Sequence, residues 1–262
     1  MPELPENEAQ RLTLERTCLN RTVEAAELGD NITHIDLPGD NELGRLKGRQ
    51  FTETRRHGKN IFLGSKTGPW ITVHLGMSGW LIPYDLPESE PDHTKFRIVF
   101  EGDRRLAFRC PRKLGHVKVI EDPDAYIAAK KLGPDALSIE RNTFVDFLGG
   151  SKAAIKSALM DQNRIAGIGN LWSDEILFQT GLDPARKGSD LKADRLDTVF
   201  DAMLTTLSKG VVVEADYSRL PDDWLIPNRK SKSDCPRAGC EGKLTHRKVG
   251  GRTAYYCPAH QS

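Results

Sequence analysis

No segment of this 262-residue chain approaches the roughly 20 consecutive apolar residues of a membrane-spanning helix. There is no internal repeat and no low-complexity tract, so neither a repeat array nor a biased disordered segment is in view. The opening, with Glu3, Glu6 and Glu8, lacks the basic residues of a signal or transit peptide. The expectation is a cytoplasmic globular protein with no membrane partner. Net charge is nearly absent: 38 Lys and Arg against 37 Asp and Glu leave +1, which gives no global argument for a polyanionic partner.

What is present is unevenly distributed. The first 44 residues carry ten acids and three basic residues. Between Asn228 and Arg252, Arg229, Lys230, Lys232, Arg237, Lys243, Arg247, Lys248 and Arg252 face only Asp234 and Glu241. A basic C-terminal segment on a neutral chain is a candidate polyanion contact. Of five cysteines, Cys235, Cys240 and Cys257 crowd into the last thirty residues, where an intracellular chain uses them for metal more readily than for disulfides. Cys18 and Cys110 read as buried or half-buried thiols.

Composition predicts an N-terminal helix over Glu6–Leu19. From Thr22 to Val119 short β-type runs follow, at Phe51–Thr54, Asn60–Leu63, Trp70–Leu75, Trp80–Ile82, Phe96–Phe100, Arg104–Phe108 and His116–Ile120. Gly, Pro and Asp separate them, as in a β-sandwich or barrel. Pro123-Asp124 opens a helix, and Leu132-Gly133-Pro134-Asp135 marks a domain boundary. The second half is helical, at Thr143–Leu148, Ala153–Asp161, Leu171–Thr180 and Lys192–Ser208, with Gly181 and Pro184 ending the third. Pro221 to Lys232 reads as a polar, proline-interrupted linker.

Four groups of residues suggest chemistry. Pro2, once Met1 is removed, presents a secondary α-amine. Such groups titrate at about 7.7–8.0, so part of it is an unprotonated nucleophile at neutral pH. Its attack on a sugar carbon yields an iminium, an electron sink, and Glu3 beside it is a carboxyl able to exchange a proton. Cys235-x4-Cys240, then sixteen residues, then Cys257-x2-His260 fits a closed structural zinc site on a β-hairpin, with His246 a rival fourth ligand. Gly167-Ile168-Gly169-Asn170 offers backbone amides at a helix start as a phosphate seat, with Asn170 as the cap. No strand or acidic ribose partner accompanies it, which argues against a dinucleotide site. At three turns, Arg55-Arg56-His57-Gly58-Lys59, His74 to Gly79 and Pro111 to Gly115, basic residues can hold phosphates. Met77 and Leu114 can act there as apolar wedges between bases.

Taken together these motifs resemble the formamidopyrimidine-DNA glycosylase and endonuclease VIII family, closer to its formamidopyrimidine branch. The resemblance runs from Pro2-Glu3-Leu4-Pro5-Glu6 through His57-Gly58-Lys59, Gly76-Met77-Ser78-Gly79, Leu132-Gly133-Pro134, Ile155-Lys156-x-x-Leu159-Met160-Asp161 and Gly167-x-Gly169-Asn170. It ends at Gly251-Arg252 and Tyr256-Cys257-Pro258. It implies an α+β, multidomain chain. Residues 1–132 would form a catalytic β-sandwich with flanking helices, 133–227 a helix–two-turns–helix domain, and 228–262 a β-hairpin zinc finger holding one structural Zn2+.

The implied activity is excision of oxidised bases from double-stranded DNA, followed by β- and δ-elimination at the abasic site, by a monomer acting at the nucleoid. Pro2 would be the nucleophile, and Glu3 the general acid, its pKa raised by burial in the occupied site. Lys59 would assist elimination, and Arg252 would grip the lesion phosphate. His93, Arg112, Lys152 and Asn170 match DNA-contacting positions, while Met77, Arg112 and Leu114 would fill the gap left by an everted base. The chain departs from the family at Cys110 and Lys113, where acid and arginine are expected, and at Leu114, where a phenylalanine is usual. Its zinc pair is spaced Cys-x4-Cys, His260 replaces a cysteine, and the loop between Gly210 and Asp234 is short. A non-catalytic module that only binds damaged DNA is the alternative.

Overall fold

Alternation decides the first half. In His116–Ile120 the sequence HVKVI buries Val117 and Val119 and turns His116 and Lys118 outward. In Thr94–Phe100 it is Phe96, Ile98 and Phe100 that face inward. In the computed structural model, which describes residues 1–262, the chain divides into two compact units. One comprises Met1–Pro2 and Glu6–Lys131, the other Glu3–Pro5 and Leu132–Ser262.

The first unit takes helix α1 (Leu4–Thr17) from Glu6 onward, then β1 (Val23–Leu28), α2 (Asp40–Gly44), β2 (Glu53–His57), β3 (Asn60–Gly64) and β4 (Trp70–His74). It continues with β5 (Trp80–Asp85), β6 (Thr94–Phe100), β7 (Arg104–Arg109), β8 (His116–Ile120) and α3 (Pro123–Ala129). α1 starts two residues earlier than expected, because Pro5 fits a first helical turn, where its missing N–H is no loss. Two antiparallel sheets, ordered β1-β6-β7-β5 and β2-β3-β4-β8, enclose a core that includes Phe96, Phe100 and Phe108 from one side and Ile61, Leu63, Ile71 and Val73 from the other, with Phe51, just before β2, edge-on to Phe100. β5 runs on through Pro83, tolerated because β5 is an edge strand that owes no hydrogen bond on its outer side. β3 is buried on both faces, since Tyr126 of α3 meets Phe62 edge-on at 5.9 Å. That is the flanking-helix arrangement.

The second unit contains α4 (Arg141–Gly149), α5 (Ile155–Leu159), α6 (Asn170–Thr180), α7 (Ala193–Val212), α8 (Leu225–Asn228) and a hairpin of β9 (Thr245–Val249) and β10 (Arg252–Tyr256). α7 presents Leu196, Val199, Phe200, Met203 and Leu207 on one face, against Phe144 and Leu148 of α4 and Trp172 and Ile176 of α6. Gly181, at φ +66°, ends α6 in the left-handed conformation that favours glycine. The expected linker at Pro221–Lys232 is not a free tether. Trp224, Leu225 and Ile226 are buried, and Leu225 joins Phe178, Cys235, Leu244 and Cys257 in a small separate core. Three adjacent apolar side chains outweigh the polar residues around them.

Candidate active site and metal centre

Glu3 is 1% exposed, and its carboxylate accepts three backbone N–H bonds at the start of α6. Gly169 donates at 2.7 Å, Leu171 at 2.8 Å and Trp172 at 3.2 Å. The Leu4 amide donates in turn to the Gly167 carbonyl at 3.1 Å. The anion seat foreseen at this turn therefore exists, but the chain's own carboxylate fills it in place of a phosphate. Asn170 does not cap the helix; it is the first helical residue, and Glu3 does the capping. Such a site favours negative charge, since the unpaired amides and the helix dipole point at it. Gly167 is needed for the same docking. Its φ is +116°, and a Cβ there would lie 2.6 Å from Leu4 Cδ1.

Within the first unit, Pro2 is buried, and Lys59 sits half-buried in the two-residue turn between β2 and β3. Met77 is 41% and Leu114 55% exposed, so neither is a core residue. Their turns are fitted together: a Cβ on Gly76, at φ +63°, would lie 2.3 Å from the Leu114 carbonyl oxygen. The Arg112 amide also donates to Ser78 Oγ at 3.4 Å, while its own side chain is exposed. Lys113 is tied down, its Nζ donating to Asn31 Oδ1 at 2.5 Å and to the Thr33 carbonyl. His93, at φ +64° and exposed, accepts the Cys110 amide on its carbonyl at 3.1 Å. Behind the Met77 turn, His74 Nδ1 accepts the Gly76 N–H at 3.2 Å and the ring stacks on His116 at 5.3 Å. Burial, helped by the neighbouring His116 and Lys59 charges, pushes His74 down to about 4.

Within the second unit, Lys152 is exposed, and Asn170 has a buried Oδ1 with no partner. Arg252 is exposed at the start of β10. The sequence reading missed a buried polar hub beside them. Asp174 accepts Lys156 Nζ at 2.6 Å on one oxygen, and Arg229 Nη2 at 2.7 Å and the Tyr255 amide at 3.1 Å on the other. Lys156, fully buried, also donates to the Asn170 carbonyl and to Ser173 Oγ, both at 2.9 Å. The hub thus joins α5, the start of α6 and the hairpin that carries Arg252. Its sequence signals were Lys156, inside the Ile155–Asp161 motif, and the adjacent acids Asp174 and Glu175 midway along α6.

Cys235, Cys240, Cys257 and His260 place one ligand atom each within 4.8 Å of the others. The Cys240 and Cys257 sulfurs stand 3.7 Å apart, too far for a disulfide and close to the ~3.8 Å edge of a tetrahedron with 2.3 Å metal–sulfur bonds. His260 Nδ1 lies 3.5 Å from Cys235 Sγ, and Nε2 lies 3.3 Å from the Phe178 carbonyl, an outer contact that fixes the ring as metal-bound histidines require. A Cβ on Gly242 would come 2.7 Å from Cys257 Sγ, so the cluster leaves no room for a side chain there. His246 stands apart, exposed on β9 opposite Tyr255. The donor set fits a metal ion with no open position.

Two solved structures have the same arrangement of elements. A MutM protein in complex with DNA containing carbocyclic 8-oxo-G superposes with a TM-score of 0.87 at 24% identity, covering both chains completely. The Lactococcus lactis formamidopyrimidine-DNA glycosylase bound to DNA containing an AP site gives 0.85 at 23%, covering 99% of each. The fold is therefore that of the β-sandwich and helix–two-turns–helix glycosylases. Sequence narrows this further. The family model of the formamidopyrimidine-DNA glycosylase N-terminal domain matches residues 1–117, and that of the glycosylase's H2TH domain matches residues 132–222. The formamidopyrimidine-DNA glycosylase of Laribacter hongkongensis is 30% identical over the full length of both chains. That of Acidithiobacillus ferrooxidans is 32% identical over 98% of each. The Arabidopsis thaliana protein is 30% identical over all of this chain and 71% of its own length. The chain belongs to the formamidopyrimidine-DNA glycosylase family.

Proposed function

We propose that this protein excises oxidised bases from duplex DNA and then cleaves the strand at the abasic site, with Pro2 as nucleophile. The observation that carries this reading is the seat of Glu3, a buried carboxylate held by three amides in the residue that follows the proline. In the Met1–Pro2 peptide the proline nitrogen is an amide and inert, so the amine is released only when Met1 is removed. The nitrogen lone pair then attacks C1′, the glycosidic bond breaks, and the base leaves with a proton. Protonation of O4′ then breaks the C1′–O4′ bond and opens the sugar to an iminium, which acidifies the C2′ hydrogen; its loss expels the 3′ phosphate. A second elimination expels the 5′ phosphate, and water releases the sugar fragment from Pro2.

Glu3 exchanges protons at the sugar, Lys59 assists elimination beside a phosphate, and Arg252 holds the lesion phosphate. His93, Arg112, Lys152 and Asn170 contact the DNA, with Met77, Arg112 and Leu114 in the vacated space. Residues 1–132, 133–227 and 228–262 act as catalytic, DNA-binding and metal-binding parts. The metal is zinc, as three thiolates and one imidazole in a closed tetrahedral set favour, and it serves as a structural clamp. Burial first, then the neighbouring Cys240 and Cys257 thiols, push the Cys235 thiol up to about 12, so a cation is what would hold it as thiolate. No helix is long and apolar enough to cross a membrane; the protein acts as a monomer at the nucleoid.

Borohydride reduction on abasic duplex DNA tests the nucleophile. Wild type should form a covalent adduct whose mass places the sugar on an N-terminal proline. Pro2→Gly should lose base excision, and Glu3→Gln should lose excision while still binding. Undiminished trapping at Lys59 in Pro2→Gly would mean that the amine is misassigned.

A further inference from the structure

Most exposed apolar bulk in the first unit gathers at one end of the β1-β6-β7-β5 sheet. Met77, Trp80 and Leu114 are three of the six large apolar side chains exposed anywhere in the chain. Met77 and Leu114 belong to the wedge, but nothing described so far uses Trp80. It opens β5, directly after the Met77 turn, and is 39% exposed, whereas Trp70, Trp172 and Trp224 are 5%, 0% and 8% exposed. Its neighbour Leu81 enters the sandwich core, so by alternation the indole stands on the outer face. In register with it is Arg109, whose guanidinium has no carboxylate partner, and next to Arg109 across the sheet lies Thr94. The residues just outside this sheet end are His93, Arg112 and Leu114. An arginine without a carboxylate partner beside an exposed indole offers a positive charge next to a flat π-face, which suits a polyanion that itself carries aromatic rings.

Met77 and Leu114 can fill a gap in a base stack, but neither offers a π-face to the base left without a partner. We propose that Trp80 is the stacking platform for the unpaired base opposite the lesion, with Arg109 at an adjacent phosphate, and that it favours a purine there. A purine covers more of an indole than a pyrimidine does, so the same contact that adds affinity also discriminates. This inference rests on the DNA reading above.

The test is binding of the full-length protein to a duplex carrying a tetrahydrofuran abasic analogue opposite adenine or thymine. Wild type should bind the adenine duplex more tightly, and DNA should shield its tryptophan fluorescence from iodide, since only Trp80 is open to the quencher. Trp80→Ala should weaken binding to the adenine duplex by roughly 5- to 100-fold and bring the two duplexes to within about twofold of each other. Trp80→Phe, which keeps a ring, should retain the purine preference. Equal binding of the two duplexes by wild type, unchanged affinity in Trp80→Ala, or full iodide access in the complex would each overturn the assignment while leaving the glycosylase reading intact. Failure of wild type to bind either duplex would instead strike the DNA reading itself.

Discussion

His74 shows how one buried side chain governs an exposed one. Its Nδ1 must be unprotonated to accept the Gly76 amide, and that bond fixes the turn carrying Met77. Because the folded-state pKa, about 4, lies below the unfolded value near 6.5, the neutral ring contributes stability that is complete above pH 6.5. That contribution is lost as pH falls towards 4. NMR should find His74 titrating near 4, with exchange of the Gly76 amide accelerating over the same range; a His74 titration near 6.5 would contradict this. At this scale the sequence was informative where residue type and spacing together set the chemistry: Cys235, Cys240, Cys257 and His260 come together as their spacing implied. It was silent on partners. Nothing in Glu3 announces that its hydrogen-bond donors lie more than 160 residues away.

Among the elements, α8 and the segment before it were the least legible. Pro221–Lys232 is polar by count, and the pattern does not say that three consecutive apolar residues will find a wall to pack on. Glu175 of α6 provides part of that wall: its carboxylate accepts the Leu225 amide at 3.2 Å, the Ile226 amide at 2.7 Å and Gln179 Nε2 at 2.7 Å. Burial raises its pKa to about 7 despite those donors. A carboxyl whose folded pKa exceeds its unfolded one binds more protons when folded, so its contribution is greatest below about pH 4.5 and is lost as pH rises to 7. The shift corresponds to a loss on the order of 3 kcal/mol. Measured against Glu175→Gln, wild-type thermal stability should decline between pH 5 and 7.5; parallel profiles for the two proteins would rule this out. β1 was missed for a different reason. Its VEAAEL sequence has weak strand propensity, and antiparallel pairing with β6 forms the strand.

For the whole molecule, strands, then helices, then a cysteine-bearing hairpin were legible in order, because each leaves a periodicity or a spacing in the sequence. What ties the second unit together was not legible, since it depends on Asp174 reaching α5, Arg229 and β10 at once. The metal belongs to the same scale. The core of Phe178, Leu225, Cys235, Leu244 and Cys257 is too small to hold by burial alone, and a structural zinc can supply roughly 10 kcal/mol or more. Metal analysis should find one zinc per chain. Chelation should expose the amides of residues 235–262 and of α8 to hydrogen exchange while leaving the β-sandwich protected. Unchanged protection after complete metal removal would rule out the clamp.

The first peptide bond after the proline is a ruler. Glu3 is pinned at α6, and a trans peptide keeps its Cα about 3.8 Å from the Cα of the proline before it. Under the mechanism proposed above, one alanine inserted between Pro2 and Glu3, with the carboxylate still seated, should abolish the borohydride-trapped adduct while leaving DNA binding in place. Spacing, independent of residue identity, is then a separate requirement of the proposed chemistry.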